Sequence, residues 1–219
     1  RRRNSRRHKK GHAMPEIRDI REYKKELREK CKKERAAMSL KKKESLDTAI
    51  ARRFLRCRDY KQADTLLIYM SKGIEISTSY ILESALSDGK RVAVPYCRTD
   101  VTDLDFYYIE STEDLSPGAF GVLEPEPLYS EKFTDYENGL CIVPALCYDL
   151  SGYRLGFGKG YYDRFLSRYS GKTAGLAYSF QIKRSLWHGR FDKAVDVIIT
   201  DRYTRGCGGR IDKQKPCRN

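Results

Sequence analysis

Between residues 152 and 163 the chain reads Gly152-Tyr153-Arg154-Leu155-Gly156-Phe157-Gly158-Lys159-Gly160-Tyr161-Tyr162-Asp163. Closely spaced glycines open backbone conformations closed to other residues and let a ligand come near the main chain. Arg154 and Lys159 are threaded between them. Ahead lies an apolar run, residues 140–147, with the pattern of a buried strand. Behind it Tyr162, Phe165, Leu166 and Tyr169 recur at helical spacing, so 161–169 reads as an amphipathic helix. A strand, a basic glycine loop and a helix N-terminus form a phosphate-binding context: free N–H groups face the anion while Lys and Arg neutralise it. The stretch is not GxxxxGK[ST], because the glycine gap is one residue too long and Gly160 stands where a hydroxyl would hold magnesium. Its GxGxG spacing also departs from the dinucleotide fingerprint. A flexible surface loop is the alternative reading.

The net charge of +14 points first to nucleic acid or a membrane surface. Its distribution points elsewhere. Residues 1–13 carry seven Lys/Arg and no acid, and 201–219 carry six against two acids. The body, 14–200, holds 31 bases and 28 acids. We therefore expect a disordered basic arm at 1–13, one domain over 14–202 and a basic tail over 203–219. No run of 18 apolar residues predicts a transmembrane helix. Seven scattered cysteines without a C-x-x-C pair fit reduced thiols, hence a cytoplasmic protein.

Residues 16–37 read as a charged helix, with Lys24 and Arg28 one turn apart. Glu22, Glu26 and Glu29 could pair with them, so on this pattern alone they form a solvated face. Ser39 is a candidate N-cap for a second helix. Thr65 to Met70 reads as a central strand, and Glu75 follows in a loop before a helix capped by Ser77 or Thr78. Val92-Ala93-Val94 is a strand stopped by Pro95. Residues 105–109 form a strand nearer an edge, and 117–127 a rigid irregular loop. Residues 140–143, 173–177 and 197–200 are further strands. Strands alternating with helices imply a largely parallel sheet covered on both faces. Ligands then collect beyond the carboxyl ends of the strands, where Met70, Glu75, Pro95, the glycine loop and Asp192 would meet.

Histidine is nearly absent from the body, where only His188 remains. That excludes a three-histidine zinc site and leaves a Ser-His-Asp triad without an identifiable nucleophile. Carboxylates are left for metal or proton work. Asp163 reads either as a first-turn helix acid or as a ligand of magnesium on a nucleotide phosphate. Asp192 and Asp196, one turn or less apart, read as loop or capping acids.

Arg154-Leu155-Gly156-Phe157-Gly158-Lys159-Gly160-Tyr161-Tyr162-Asp163, preceded by Val143-Pro144-Ala145-Leu146-Cys147-Tyr148-Asp149, resembles the signature of the 5-formyltetrahydrofolate cyclo-ligase (methenyltetrahydrofolate synthetase) family. Lys24-Lys25-Glu26-Leu27-Arg28, Tyr69-Met70 before Glu75, Val94-Pro95, Phe120-Gly121 before Glu124-Pro125, and Asp192 before Ile198-Ile199-Thr200 agree in order and spacing. The resemblance implies a three-layer α/β/α sandwich with a mostly parallel central sheet. It implies ATP- and Mg2+-dependent closure of 5-formyltetrahydrofolate to 5,10-methenyltetrahydrofolate, by a one-carbon-metabolism ligase acting on small molecules. Separately, we expect a monomer with no membrane or nucleic-acid partner. It assigns Lys24, Arg28 and Arg154 to Tyr162 to ATP, with Lys159 and Arg154 catalytic. It assigns Met70, Glu75, Phe120 and Phe157 to Tyr161 to the folate, and Asp163 and Asp192 to the metal. A nucleic-acid-binding module using the basic arms, or another phosphate-handling enzyme on a similar scaffold, are the competing readings.

Overall fold

The first element, α1 (Ile20–Ala36), opens on Asp19, whose carboxylate accepts the Arg21 N–H at 2.9 Å. The computed structural model describes residues 19–207. The arm at 1–13, the predicted start of the first helix at 16–18 and the tail from 208 onward lie outside the described residues. Two more helices follow, α2 (Leu40–Arg56) and α3 (Arg58–Gln62). Ser39 caps α2 as the sequence predicts, accepting from Lys42 N. Then come β1 (Thr65–Leu67), α4 (Ser79–Ser87), β2 (Arg91–Arg98) and β3 (Asp103–Ile109). A hairpin of β4 (Leu115–Pro117) and β5 (Leu123–Pro125) precedes β6 (Leu140–Val143), β7 (Cys147–Asp149) and β8 (Arg154–Leu155). The chain continues through α5 (Tyr161–Arg168), β9 (Lys172–Ala177), β10 (Ile182–Lys183), β11 (Val197–Thr200) and β12 (Thr204–Gly206).

Seven strands form the central sheet in the order β12-β11-β9-β6-β1-β2-β3. The inner five run parallel, and β12 and β3 close the edges antiparallel. Strand alternation separates two cores. Leu66, Ile142 and Ile199 face α2 and α4, with Ile50, Phe54, Ile81 and Leu82. Leu67, Val143 and Ile198 face α5 and the ring of Tyr148. This is the expected α/β sandwich, although its second outer layer is only partly helical: β10, β7 and β8 form a small three-stranded sheet there. Strands this short leave almost no periodic signal, which is why the sequence reading passes from the apolar run at 140–147 to the glycine loop without separating β7 and β8.

Three expectations change. Pro95 does not stop β2, which continues to Arg98. Arg91 and Ala93 point their backbone groups toward the β1 side, so by alternation Pro95 does too. Strand β1 has ended at Leu67, so the missing N–H costs no ladder bond. Residues 117–127 are not wholly irregular, since β4 and β5 pair across a turn at Ala119–Gly121. The boundary at 202 falls inside the sheet. Thr200 Oγ1 accepts from Arg202 N and Tyr203 N, reversing the chain so that β12 pairs with β11. Backbone pairing does not depend on side chains, so a Gly- and Arg-rich segment can hold an edge. No helix among the described residues is long and apolar enough to cross a membrane.

Gly175, in β9, shows how tightly the second core is filled. A Cβ there would come within 2.5 Å of Tyr148 Cζ, and Tyr148 is fixed by its hydroxyl donating to Val143 O at 2.6 Å. Gly175→Ala is expected to lower unfolding free energy by about 1–3 kcal/mol, the usual cost of overpacking. Denaturant melts check this, and an unchanged midpoint would show that the ring can yield.

Candidate active site

The strand order reverses between β1 and β6, and the crevice beyond their carboxyl ends opens into a cleft of about 610 Å³. Tyr69 and Met70 leave β1 into it, Pro144 leaves β6, and α1 crosses its rim with Lys24 and Arg28. Every residue assigned to a site from sequence lines this one cleft: Lys24, Arg28, Met70, Glu75, Phe120, each position from Arg154 to Asp163, and Asp192. His188 stacks on Tyr153 with ring centroids 3.5 Å apart and is not among the lining residues.

The glycine loop is shaped around Arg28, whose Nε donates to Gly156 O at 3.0 Å. A Cβ at position 158 would sit 3.3 Å from the Arg28 guanidinium carbon, and Gly158 holds φ at +103°. Gly160 (φ +77°) begins α5 without any side-chain cap. The first N–H groups of the helix are therefore left for another acceptor. Lys24 and Arg28 are thus not the solvated face that their spacing alone suggested, because both turn inward.

The remaining charges are arranged unequally. Arg154 is buried, its side chain only 5% exposed, and donates to Asp163 Oδ1 at 2.6 Å and to Lys193 O at 3.1 Å. Lys24 reaches Asp192 Oδ2 at 2.5 Å, where Gly189 N also donates. Burial pushes the Asp192 carboxyl up. The Lys24 and Gly189 hydrogen bonds and the Lys24 and Arg154 charges outweigh it, and the net shift is downward. A depressed carboxylate contributes stability above its unfolded pKa and loses it as pH falls through the folded value. In Lys24→Met the Asp192 carboxyl should rise above its wild-type value, as followed by carboxyl-carbon NMR. No rise would mean that Lys24 contributes little to the depression. Lys159 is exposed, and its ammonium lies 3.9 Å over the Phe120 ring without a salt bridge to any described residue.

Phe120 sits in left-handed backbone (φ +56°), uncommon for a bulky residue. It is held there by neighbours the sequence did not single out for that purpose. Lys72 Nζ donates to its carbonyl, and buried Glu124 accepts Ala119 N and Cys97 N, anchoring the turn. The Tyr161 ring meets Phe120 edge-on at 6.0 Å. Glu75 is half-buried and accepts Lys72 N at 2.7 Å. Burial raises its pKa, against the pull of that N–H and of Arg35, Lys43 and Lys72. The Tyr162 hydroxyl is buried without a hydrogen-bond partner, in a residue that lines the cleft. Such an orphan is a place for a ligand to bond.

Residues 20–201 match the sequence model of the 5-formyltetrahydrofolate cyclo-ligase family. The chain belongs to this family. Among cyclo-ligase relatives, a probable 5-formyltetrahydrofolate cyclo-ligase of Caenorhabditis elegans is 29% identical over 199 residues, covering 84% of this chain and 96% of that one. The mitochondrial 5-formyltetrahydrofolate cyclo-ligase of Arabidopsis thaliana is 30% identical over 212 residues, covering 84% and 76%. The NMR structure of Aquifex aeolicus 5,10-methenyltetrahydrofolate synthetase superposes with a TM-score of 0.76 at 30% identity, over 90% of this chain and 99% of that one. The family is named as a ligase, and its reaction is an ATP-dependent cyclisation. Against that chemistry, no group of three or more His, Cys, Asp or Glu among the described residues forms a metal site. Asp163 and Asp192 each already carry a cation. Four carboxylates line the cleft, Glu75, Glu124, Asp163 and Asp192; a divalent ion held by one or two of them would complete its shell with phosphate oxygens and water, the usual habit of magnesium.

Proposed function

We propose that this cleft closes 5-formyltetrahydrofolate to 5,10-methenyltetrahydrofolate, consuming ATP and releasing ADP and phosphate. The observation that carries the reading is the meeting, in one cleft, of a cationic glycine cradle with an acid- and aromatic-bearing floor. The formyl oxygen leaves poorly as hydroxide. Transfer of the γ-phosphoryl group to it, with ADP departing, makes an iminium-like phosphate ester. N10 then attacks the former formyl carbon, the C–O bond breaks, phosphate leaves and the N10 proton is lost. The protein's part is positioning and charge neutralisation.

Lys159 moves from the Phe120 ring to the γ-phosphate, while Arg28 supports the loop and faces the triphosphate with Lys24. The uncapped N–H groups at the start of α5 take phosphate oxygens. Buried Arg154 acts through Asp163, holding that carboxylate at the mouth of the cradle. The Phe120 face, freed of Lys159, packs on the pterin. Glu75 accepts pterin N–H groups, Met70 packs alongside, and Tyr162 offers its unpartnered hydroxyl. Mg2+ bound by Asp163 and Asp192 would neutralise phosphate charge. Protein with Mg2+, ATP and 5-formyltetrahydrofolate should develop the near-ultraviolet methenyl absorption, with phosphate released only when the formylated folate is supplied. Folded protein that shows neither signal would refute the reading.

A further inference from the structure

We propose that Arg35, which does not line the cleft, is the positioning residue for its folate end: its guanidinium clips the loop carrying Glu75 to the turn that follows β6. The inference rests on the folate role of Glu75 proposed above. Arg35 lies in the last turn of α1 and is 3% exposed. Its guanidinium donates to Ala145 O at 2.8 Å, Leu146 O at 2.9 Å, Gln181 Oε1 at 2.8 Å and, more loosely, Ile74 O at 3.3 Å. It also lies over the Tyr178 ring. Ile74 is next to Glu75, and Ala145 follows Pro144 at the end of β6. The two segments bound the crevice where the strand order reverses. Helices and sheets do not join them there, so the planar fork of one arginine does.

All four acceptors are neutral, and no described carboxylate forms a salt bridge with Arg35, so its charge stays available to its surroundings. It reaches Glu75. The other titratable groups whose electrostatics couple to Glu75 are Lys43 from α2, Lys72 from its own loop, Tyr69 just beyond β1 and Tyr162 from α5. Lys43 is already paired with Asp47 at 2.6 Å, and the Lys72 ammonium is bound to Phe120 O. Arg35 is therefore a principal unpaired cation favouring an ionised, hydrogen-bond-accepting Glu75.

The test compares Arg35→Met and Arg35→Lys with wild type, measuring KM for each substrate and the pH dependence of kcat/KM for the folate. In Arg35→Met the folate KM should rise by about 10–100-fold, the scale of an ångström-level misplacement. The ATP KM should stay within about 2-fold, and the acid limb should move to higher pH, because losing a facing cation raises a carboxyl pKa. Arg35→Lys keeps the charge but loses the fork, so the folate KM should rise while the limb stays put. A folded Arg35→Met with a wild-type folate KM and an unmoved limb overturns the proposal, as does an equal rise in both KM values. If Arg35→Met fails to fold, a wild-type folate KM in Arg35→Lys overturns it. Wild-type protein that makes no methenyl product sinks the functional reading, and this inference with it. Active wild type with indifferent variants sinks only the role of Arg35.

Discussion

Lys159→Met is expected to lower turnover by about 10²–10³-fold while the protein remains folded. The side chain is exposed, and its observed partner is the Phe120 ring at 3.9 Å. A cation–π contact at an exposed site is worth about 0.5–1 kcal/mol, so the melting temperature should fall by no more than a few degrees. In the proposed reaction the demand is different. Negative charge on the phosphoryl group must be met by the cleft's cations, and removing one such donor costs about 2.7–4 kcal/mol of barrier. Two magnitudes on one residue thus point in opposite directions: small for the fold, large for the chemistry. Single-turnover formation of the methenyl product, run beside a thermal melt, reads both. Lys159→Arg should recover part of the rate, because the charge survives in a wider head. Wild-type turnover in the Met variant would place phosphate neutralisation on Arg28 or Lys24 instead.

Loss in the Met variant should also report on the folate. With no ammonium on its face, Phe120 is open to stacking from the start. The folate KM should then fall or hold while kcat collapses, the pattern of an interaction made chiefly in the transition state.

The sequence carried the architecture well because its signals were long and periodic. The apolar runs at 65–70, 140–143, 173–177 and 197–200 alternate with segments of helical period, and that alone implies a parallel sheet with a cleft at its carboxyl edge. The glycine stretch was legible because its residue types have few other uses together. Apart from β1, whose apolar run extends past the strand to Met70, elements of two or three residues were not legible. Strands β7, β8, β10 and β12 are held by backbone pairing and give no pattern to count. Pro95 misled for a related reason, since whether a proline breaks a strand depends on which neighbour is missing. At the site, sequence could name charged residues but not how their charges are spent. Arg154 and Lys159 look alike in the motif, yet one is buried against Asp163 and the other is exposed. Arg35 reads as one more base in a charged helix, and only the fold shows that it is interior. Asp149 sat in plain view within the signature and carried no visible reason for being there.

The fold supplies that reason, and it makes Asp149→Ala the most destabilising substitution we expect. The carboxylate is 1% exposed and accepts three backbone N–H groups: Ser151 at 2.9 Å and Tyr153 at 3.0 Å on one oxygen, and Leu186 at 2.9 Å on the other. It closes the turn between β7 and β8 and ties that turn to the 182–186 segment. Alanine leaves all three donors stranded, at about 1–3 kcal/mol each before any water enters. A loss of about 3–5 kcal/mol is expected, a large share of the roughly 5–15 kcal/mol that holds a typical domain. At about 2–4 °C per kcal/mol for a chain of this size, the melting temperature should drop by roughly 6–20 °C. Asp149→Asn should fall between the two. Its one oxygen can serve Ser151 and Tyr153, but its NH2 then faces the Leu186 N–H, donor against donor. Well below its melting point the alanine variant should still bind ATP more weakly than wild type, because the same turn delivers Arg154, and through it Asp163, to the cradle. Melts within about 0.5 kcal/mol of wild type would mean that water replaces the carboxylate at no cost.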